Sequence, residues 1–162
     1  MSITDDLIAN NEAYAAAFDK SDLPRSPAKQ VAIVACMDAR LDPARVLGLE
    51  EGDAHVLRNA GGIVGDAEIR DLAISQHVLG TERVILIQHT DCGMSALDAE
   101  RFAAQLEEAS GERPTWRPQT FDDLDESVRA SIRRVKDSPF IPHKDVRGFV
   151  YDVQTGALRE VT

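Results

Sequence analysis

The sequence predicts a single α/β domain with a mostly parallel central β-sheet flanked by helices, an N-terminal helical arm and a C-terminal β-hairpin. Three observations carry this. Residues 31–36, Val-Ala-Ile-Val-Ala-Cys, form a short, continuous, β-branched run of the kind buried on both faces of a sheet. Residues 83–88 repeat that character. Between them, residues 66–79 carry Ile69, Leu72, Ala73, Gln76 and Val78 at helical spacing and stop at Gly80, so strands and helices alternate as a parallel sheet requires. With 162 residues the chain can enclose one sizeable core and is short for two.

Residues 1–24 read as the arm: Leu7, Ile8, Tyr14, Ala15 and Phe18 recur at roughly helical spacing over 4–18, with Thr4 and Asp5 as expected caps. Pro24 and Pro27 break the chain ahead of the first strand. A second strand is expected at 54–57. Residues 95–109 read as a helix ending near Gly111, and 121–136 as another beyond the linker from Pro114 to Pro118. The terminal hairpin is expected over 147–161, turning at Gln154-Thr155-Gly156.

A formal net charge of -10 argues against nucleic acid as a partner, because duplex binding requires clustered Lys and Arg. The apolar runs are strand-sized and too short to span a bilayer, so no membrane partner is expected. The opening Met-Ser-Ile-Thr-Asp-Asp has neither the basic nor the apolar region of a secretory signal, which gives the expectation of a cytoplasmic protein. Two cysteines in a reducing compartment leave buried thiol, reactive thiol or metal ligand as their roles.

Alone, Cys36 at the end of an apolar strand reads most simply as an inert core thiol. His89-Thr90-Asp91-Cys92 alters that balance, since an imidazole and a thiolate three residues apart at a strand end can converge on one zinc ion. Cys36 is expected on the same carboxyl rim, where open α/β sheets collect their ligands. The set Cys36, His89, Cys92 has no fourth soft ligand, as in a catalytic site with an open position; a structural site would want four. His55, His77 and His143 have no cysteine beside them and read as structural or surface residues. Asp38 and Arg40 follow Cys36 at alternate positions and can pair beside the metal, or else form an ordinary surface ion pair.

Cys36-x-Asp38-x-Arg40 followed by His89-x-x-Cys92-Gly93 resembles the paired signature of the β-class carbonic anhydrases. The likeness extends through Arg58-Asn59-Ala60-Gly61-Gly62 and covers residues 31–109, the expected metal-site core. The resemblance implies a Zn2+ cofactor, reversible hydration of carbon dioxide to bicarbonate by zinc-bound hydroxide, and a homodimer or tetramer whose active sites lie near the subunit interface. It implies that Asp38 accepts a hydrogen bond from that hydroxide and that Arg40 holds Asp38 off the metal. Should the pair open at low pH, Asp38 becomes a fourth ligand. Two thiolates cancel the zinc charge, so bound water should ionise above the pKa of about 7 found on three-histidine zinc, and activity should rise into alkaline pH.

Gly61 and Gly62 would bring backbone close to the metal, with Ile63 and Val64 as an apolar wall for a linear substrate; a plain glycine turn fits the same residues. The glycines do not match the dinucleotide-binding spacing. Thr90 and Asp91 read as helix-capping residues rather than supports of the ligand loop. Ile33 stands where many members carry an aromatic residue, and Pro27 where plant-like members carry Gln, so the pocket departs from both subtypes. Short relatives with the same zinc set hydrolyse carbonyl sulfide or carbon disulfide, which keeps these substrates open. A non-catalytic zinc-binding protein is the remaining reading.

Overall fold

The computed structural model describes residues 2–162. Its five-stranded sheet runs β2-β1-β3-β4-β5, formed by β1 (Val31–Cys36), β2 (Ala54–Asn59), β3 (Arg83–His89), β4 (Asp145–Tyr151) and β5 (Leu158–Val161). The first four are mutually parallel and β5 returns antiparallel on β4, so the mostly parallel sheet and the terminal hairpin are both present. The helices are α1 (Ile3–Ala16), α2 (Pro43–Leu47), α3 (Asp66–His77), α4 (Ala99–Ser110) and α5 (Leu124–Asp137). β1 is buried along its whole length. Its alternating side chains divide between two cores: Ala32 and Val34 pack with Leu72, Val84, Leu86 and Val135, whereas Ile33 and Ala35 pack with Leu41, Ile87 and Cys92.

Boundaries differ from expectation where a cap decides them. α1 starts at Ile3 because Ser2, not Thr4 or Asp5, is its cap: the Ser2 side chain accepts from the Asp5 N–H and the Asp5 carboxylate accepts from the Ser2 N–H. It stops at Ala16, short of Phe18. Asp98 caps α4, so that helix begins at Ala99 rather than residue 95, and Gly93–Ser95 form a separate 3-10 turn. Asp123 likewise delays α5 to Leu124. β2 runs on to Asn59, in register with Cys36. α2 was not expected; Asp42 at its cap and Pro43 at its first position start it, and Gly48 in the left-handed region ends it. β4 begins at Asp145, two residues ahead of the expected start of the hairpin, and ends at Tyr151.

Candidate metal centre

β1 and β3 are adjacent and parallel, so their carboxyl ends fall side by side and bring Cys36 next to His89. Thr90 then ties the ligand loop to the end of β4: its N–H donates to the Tyr151 carbonyl at 2.9 Å, and its hydroxyl accepts from the Val153 N–H at 3.1 Å. The loop passes through Asp91 at φ 54 and returns Cys92 to the site. Sulfur and nitrogen atoms of Cys36, His89 and Cys92 lie within 4.8 Å of one another, all three residues buried.

These residues fit a zinc ion. His89 is 1% exposed, and its Nδ1 lies 2.8 Å from the Thr90 carbonyl, which can only accept; the proton therefore belongs on Nδ1. Nε2 is left buried and without a hydrogen-bond partner, its lone pair available beside two soft thiol ligands. Burial pushes the Cys36 thiol up, but the adjacent His89 imidazole and the Asp38 and Gly61 N–H groups outweigh it and bring it down to about 7. Burial opposes charge on His89 as well, and the neighbouring Cys36 and the Thr90 carbonyl still raise it. Burial, together with the neighbouring Cys36, raises Cys92. The three residues hold protons in a space where a divalent cation would replace them.

Asp38 and Arg40 form the pair expected from their spacing. Arg40 Nε donates to Asp38 Oδ1 at 3.0 Å and Nη2 to Oδ2 at 2.8 Å, while the Arg40 N–H also donates to Oδ1. These bonds hold the Asp38 carboxyl well below the usual carboxylate range. Asp38 Oδ2 stands 3.6 Å from His89 Nε2, so the ionised group is beside the ligand set without hydrogen-bonding to it. Asp91 holds the other side of Arg40, its carboxylate accepting from Nη1 at 2.8 Å and its carbonyl from Nη2 at 3.0 Å. Thr90 and Asp91 are thus not helix caps: they support the ligand loop and the Asp38–Arg40 pair. Sequence spacing alone pointed to the cap because a 3-10 turn opens directly after Cys92, but that turn has no side-chain cap.

The pocket residues divide. Gly61 and Gly62 are buried at positive φ, and a Cβ on Gly62 would sit 2.7 Å from the Ile87 carbonyl oxygen and 2.8 Å from the Cys36 nitrogen. Here glycine permits a close approach to the end of β1 and is more than a turn residue. Ile63 lies against Gly61 and lines a groove of about 520 Å3 with Phe121 and Gln119. Val64 does not belong to the wall: it is 3% exposed in the core with Ala32, Val34 and Leu72, because the chain has already turned toward α3. His55, His77 and His143 bond to Ser75, Phe140 and Gln76, away from the site. Sequence spacing gives Arg58 no role of its own; the structure sets it opposite Ala35, at the rim.

Fold and site together define an α/β protein with a three-ligand Cys2His metal centre on the carboxyl rim of a parallel sheet. Residues 31–158 match the family model described as carbonic anhydrase. Over its full length the chain is 53% identical to "Beta-carbonic anhydrase 1" of Mycobacterium tuberculosis, covering 99% of that protein. It is 31% identical to "Carbon disulfide hydrolase" of Acidithiobacillus thiooxidans, over 78% of this chain and 74% of the relative. The crystal structure of a carbonic anhydrase from Streptococcus mutans superposes with a TM-score of 0.93 at 44% identity, covering 100% of this chain and 99% of that one. The chain belongs to the β-carbonic anhydrase family, whose metal is zinc.

Proposed function

We propose that this protein is a zinc lyase that hydrates carbon dioxide reversibly to bicarbonate and a proton, with the metal on Cys36, His89 and Cys92. The observation that carries the reading is Asp38, kept ionised by two oxygens' worth of contact with Arg40 and set beside the ligand triad. Metal storage needs no such group, which weighs against a non-catalytic zinc-binding protein. Zinc, when bound, would supply Lewis acidity that lowers the pKa of water, though less than on a three-histidine zinc because two thiolates cancel its charge, and would stabilise developing negative charge.

The chain's own residues set the geometry. An ionised Asp38 can only accept hydrogen bonds, so it takes the proton-bearing side of the attacking water and leaves the oxygen lone pair toward the substrate carbon. Arg40, held from behind by Asp91, keeps Asp38 in that place. When the pair opens, the carboxylate is free to join the three ligands and close the site. Gly61 and Gly62 bring backbone against Cys36, and Ile63, packed beside Gly61, would supply the apolar side suited to an uncharged linear molecule.

Identity over the whole chain with a carbonic anhydrase supports carbon dioxide over carbon disulfide, whose named hydrolases align over a smaller share of the chain. Exposed apolar residues of α1 support a homodimer, with a tetramer as the larger possibility. No described helix is long and apolar enough to cross a membrane, and two buried free thiols suit a reducing cytoplasm.

Zinc content and stopped-flow carbon dioxide hydration, read on one preparation from neutral to alkaline pH beside carbonyl sulfide consumption, test this. About one zinc per chain with hydration that climbs with pH and collapses in Asp38→Ala and Cys92→Ser is the expected result. Dominant sulfide turnover would move the assignment to a sulfide hydrolase, and zinc without turnover would leave a binding protein.

A further inference from the structure

We propose that Arg58 is a positioning residue that locks the loop from Cys36 to Leu41 into the shape that makes the metal site. The inference rests on the zinc-centre reading above and assigns a role to a charged group of the rim that the mechanism does not use.

Arg58 is the penultimate residue of β2, opposite Ala35 of β1; the residue is exposed, yet its guanidinium reaches back to the carbonyls of the loop that leaves β1. Nε donates to the Cys36 carbonyl at 3.0 Å and Nη2 to the same oxygen at 2.7 Å. Nη2 also donates to the Asp38 carbonyl at 2.8 Å and to the Leu41 carbonyl at 2.6 Å. One side chain thus holds the start, middle and end of the loop. Among the described residues no ion pair includes Arg58, so its charge is directed wholly to neutral carbonyl oxygens.

That arrangement has an electrostatic reason. A loop that reverses sharply after a strand turns several carbonyl dipoles toward one point, where they repel each other and cannot all be satisfied by neighbouring N–H groups. A planar guanidinium offers several donors in a fixed fork and gives charge-assisted bonds to all three. Lysine, a point charge on a flexible stem, cannot span them.

The loop carries what the site requires. Its Asp38 N–H faces the Cys36 sulfur, its Asp38 carboxylate stands beside His89, and its Arg40 fixes that carboxylate. At its far end Leu41 is buried and its N–H donates to the Asp38 carbonyl at 3.1 Å. Loosening the three carbonyls would let Cys36 and Asp38 move together, weakening metal capture and misaiming the acceptor.

The test uses Arg58→Ala and Arg58→Lys, with zinc affinity read by competition against a chromophoric chelator and kcat and KM for carbon dioxide read on zinc-saturated protein. Zinc should bind about 10–100-fold more weakly in Arg58→Ala, the range for removing a group that orients a ligand. The loss of turnover should fall on kcat, and low-millimolar guanidinium ion should restore both by refilling the carbonyl cradle. Arg58→Lys should remain defective despite its charge. Should Arg58→Ala not fold, Arg58→Lys decides the matter on zinc affinity alone. A folded variant of either kind with lower thermal stability but wild-type zinc affinity and kcat would overturn the proposal, leaving Arg58 a purely structural residue. Because zinc competition needs no turnover, a wild-type protein that binds zinc and does not hydrate carbon dioxide would sink the proposed function while the Arg58 result still stood or fell separately.

Discussion

The carboxyl rim of the sheet and helix α1 depart from an ordinary protein surface in opposite directions. At the rim, charged groups crowd together and nearly all of them find partners within the chain: Asp38 with Arg40, Arg40 with Asp91, Arg58 with three carbonyls. Along α1, apolar side chains find none: Ile3, Leu7, Ile8 and Tyr14 are at least half exposed, with Ile8 at 65%, and no residue of the helix is buried. Its side-chain ties to the body run through Glu51, which accepts from Tyr14 and pairs with Lys20 just beyond the helix. A 14-residue helix is marginal in water without a packed face. α5 has the same length and buries Val128 and Val135 against the sheet. The charged groups of the rim are therefore satisfied within one copy of the chain, and the apolar face of the arm is not.

The sharpest way to break this contrast is to remove a ligand. Cys92→Ser should cost more than the roughly 100-fold in zinc affinity that marks the upper range for an orienting group, measured by chelator competition, while circular dichroism of α1 stays unchanged. Asp38→Ala should spare zinc binding and lower kcat/KM for carbon dioxide by about 10²–10³, the scale for losing one preorganised hydrogen-bonding group; a loss confined to zinc content would contradict its placement as an acceptor. Gly62→Ala tests how tightly the rim is built. With φ at +65 and backbone atoms under 3 Å from any Cβ, it should destabilise the fold by about 1–3 kcal/mol in urea unfolding.

A gentler probe is pH. Zinc must displace the protons that raised Cys92 and raised His89 retain in the metal-free protein, so affinity should fall as pH falls. Because Cys92 titrates above the ordinary thiol range, the improvement should continue past pH 9, by about tenfold per unit for each proton displaced. The smallest effect on the metal is expected from the arm. Leu7→Asp with Ile8→Asp should shift sedimentation from dimer to monomer and leave zinc affinity within about twofold, whereas a parallel loss of zinc would show that the rim depends on the arm after all.

The strands, the helix between β1 and β3, and the three residues that the fold gathers into a set able to hold a metal were legible in the sequence, because burial on both faces writes continuous apolar runs and soft donors at strand ends have few competing explanations. What escaped was decided by single polar atoms. Asp42 with Pro43 starts a helix too short for any periodicity to announce, and Asp98 and Asp123 move helix starts that apolar spacing placed earlier. Val64 has the chemistry of a pocket wall and the position of a core residue, a difference that only the turn after Gly62 decides. Thr90 and Asp91 read locally as caps because their partners, Val153, Tyr151 and Arg40, are remote in sequence, and no local pattern encodes them.

The neighbouring placement of β1 and β3 bears on how the protein reaches its native state. His89 and Cys92 are local to each other, but Cys36 joins them only after the intervening β2 and α3 crossover has been laid down and β1 has docked. An unfolded chain can therefore offer zinc a two-ligand grip at most from that local pair, and the full grip arrives with the long-range strand pairing, the slow kind of contact to form. Zinc binding thus reports late events in folding. Once bound it links the two central strands across the crossover, so the metal should act chiefly as a brake on unfolding rather than as a seed for folding.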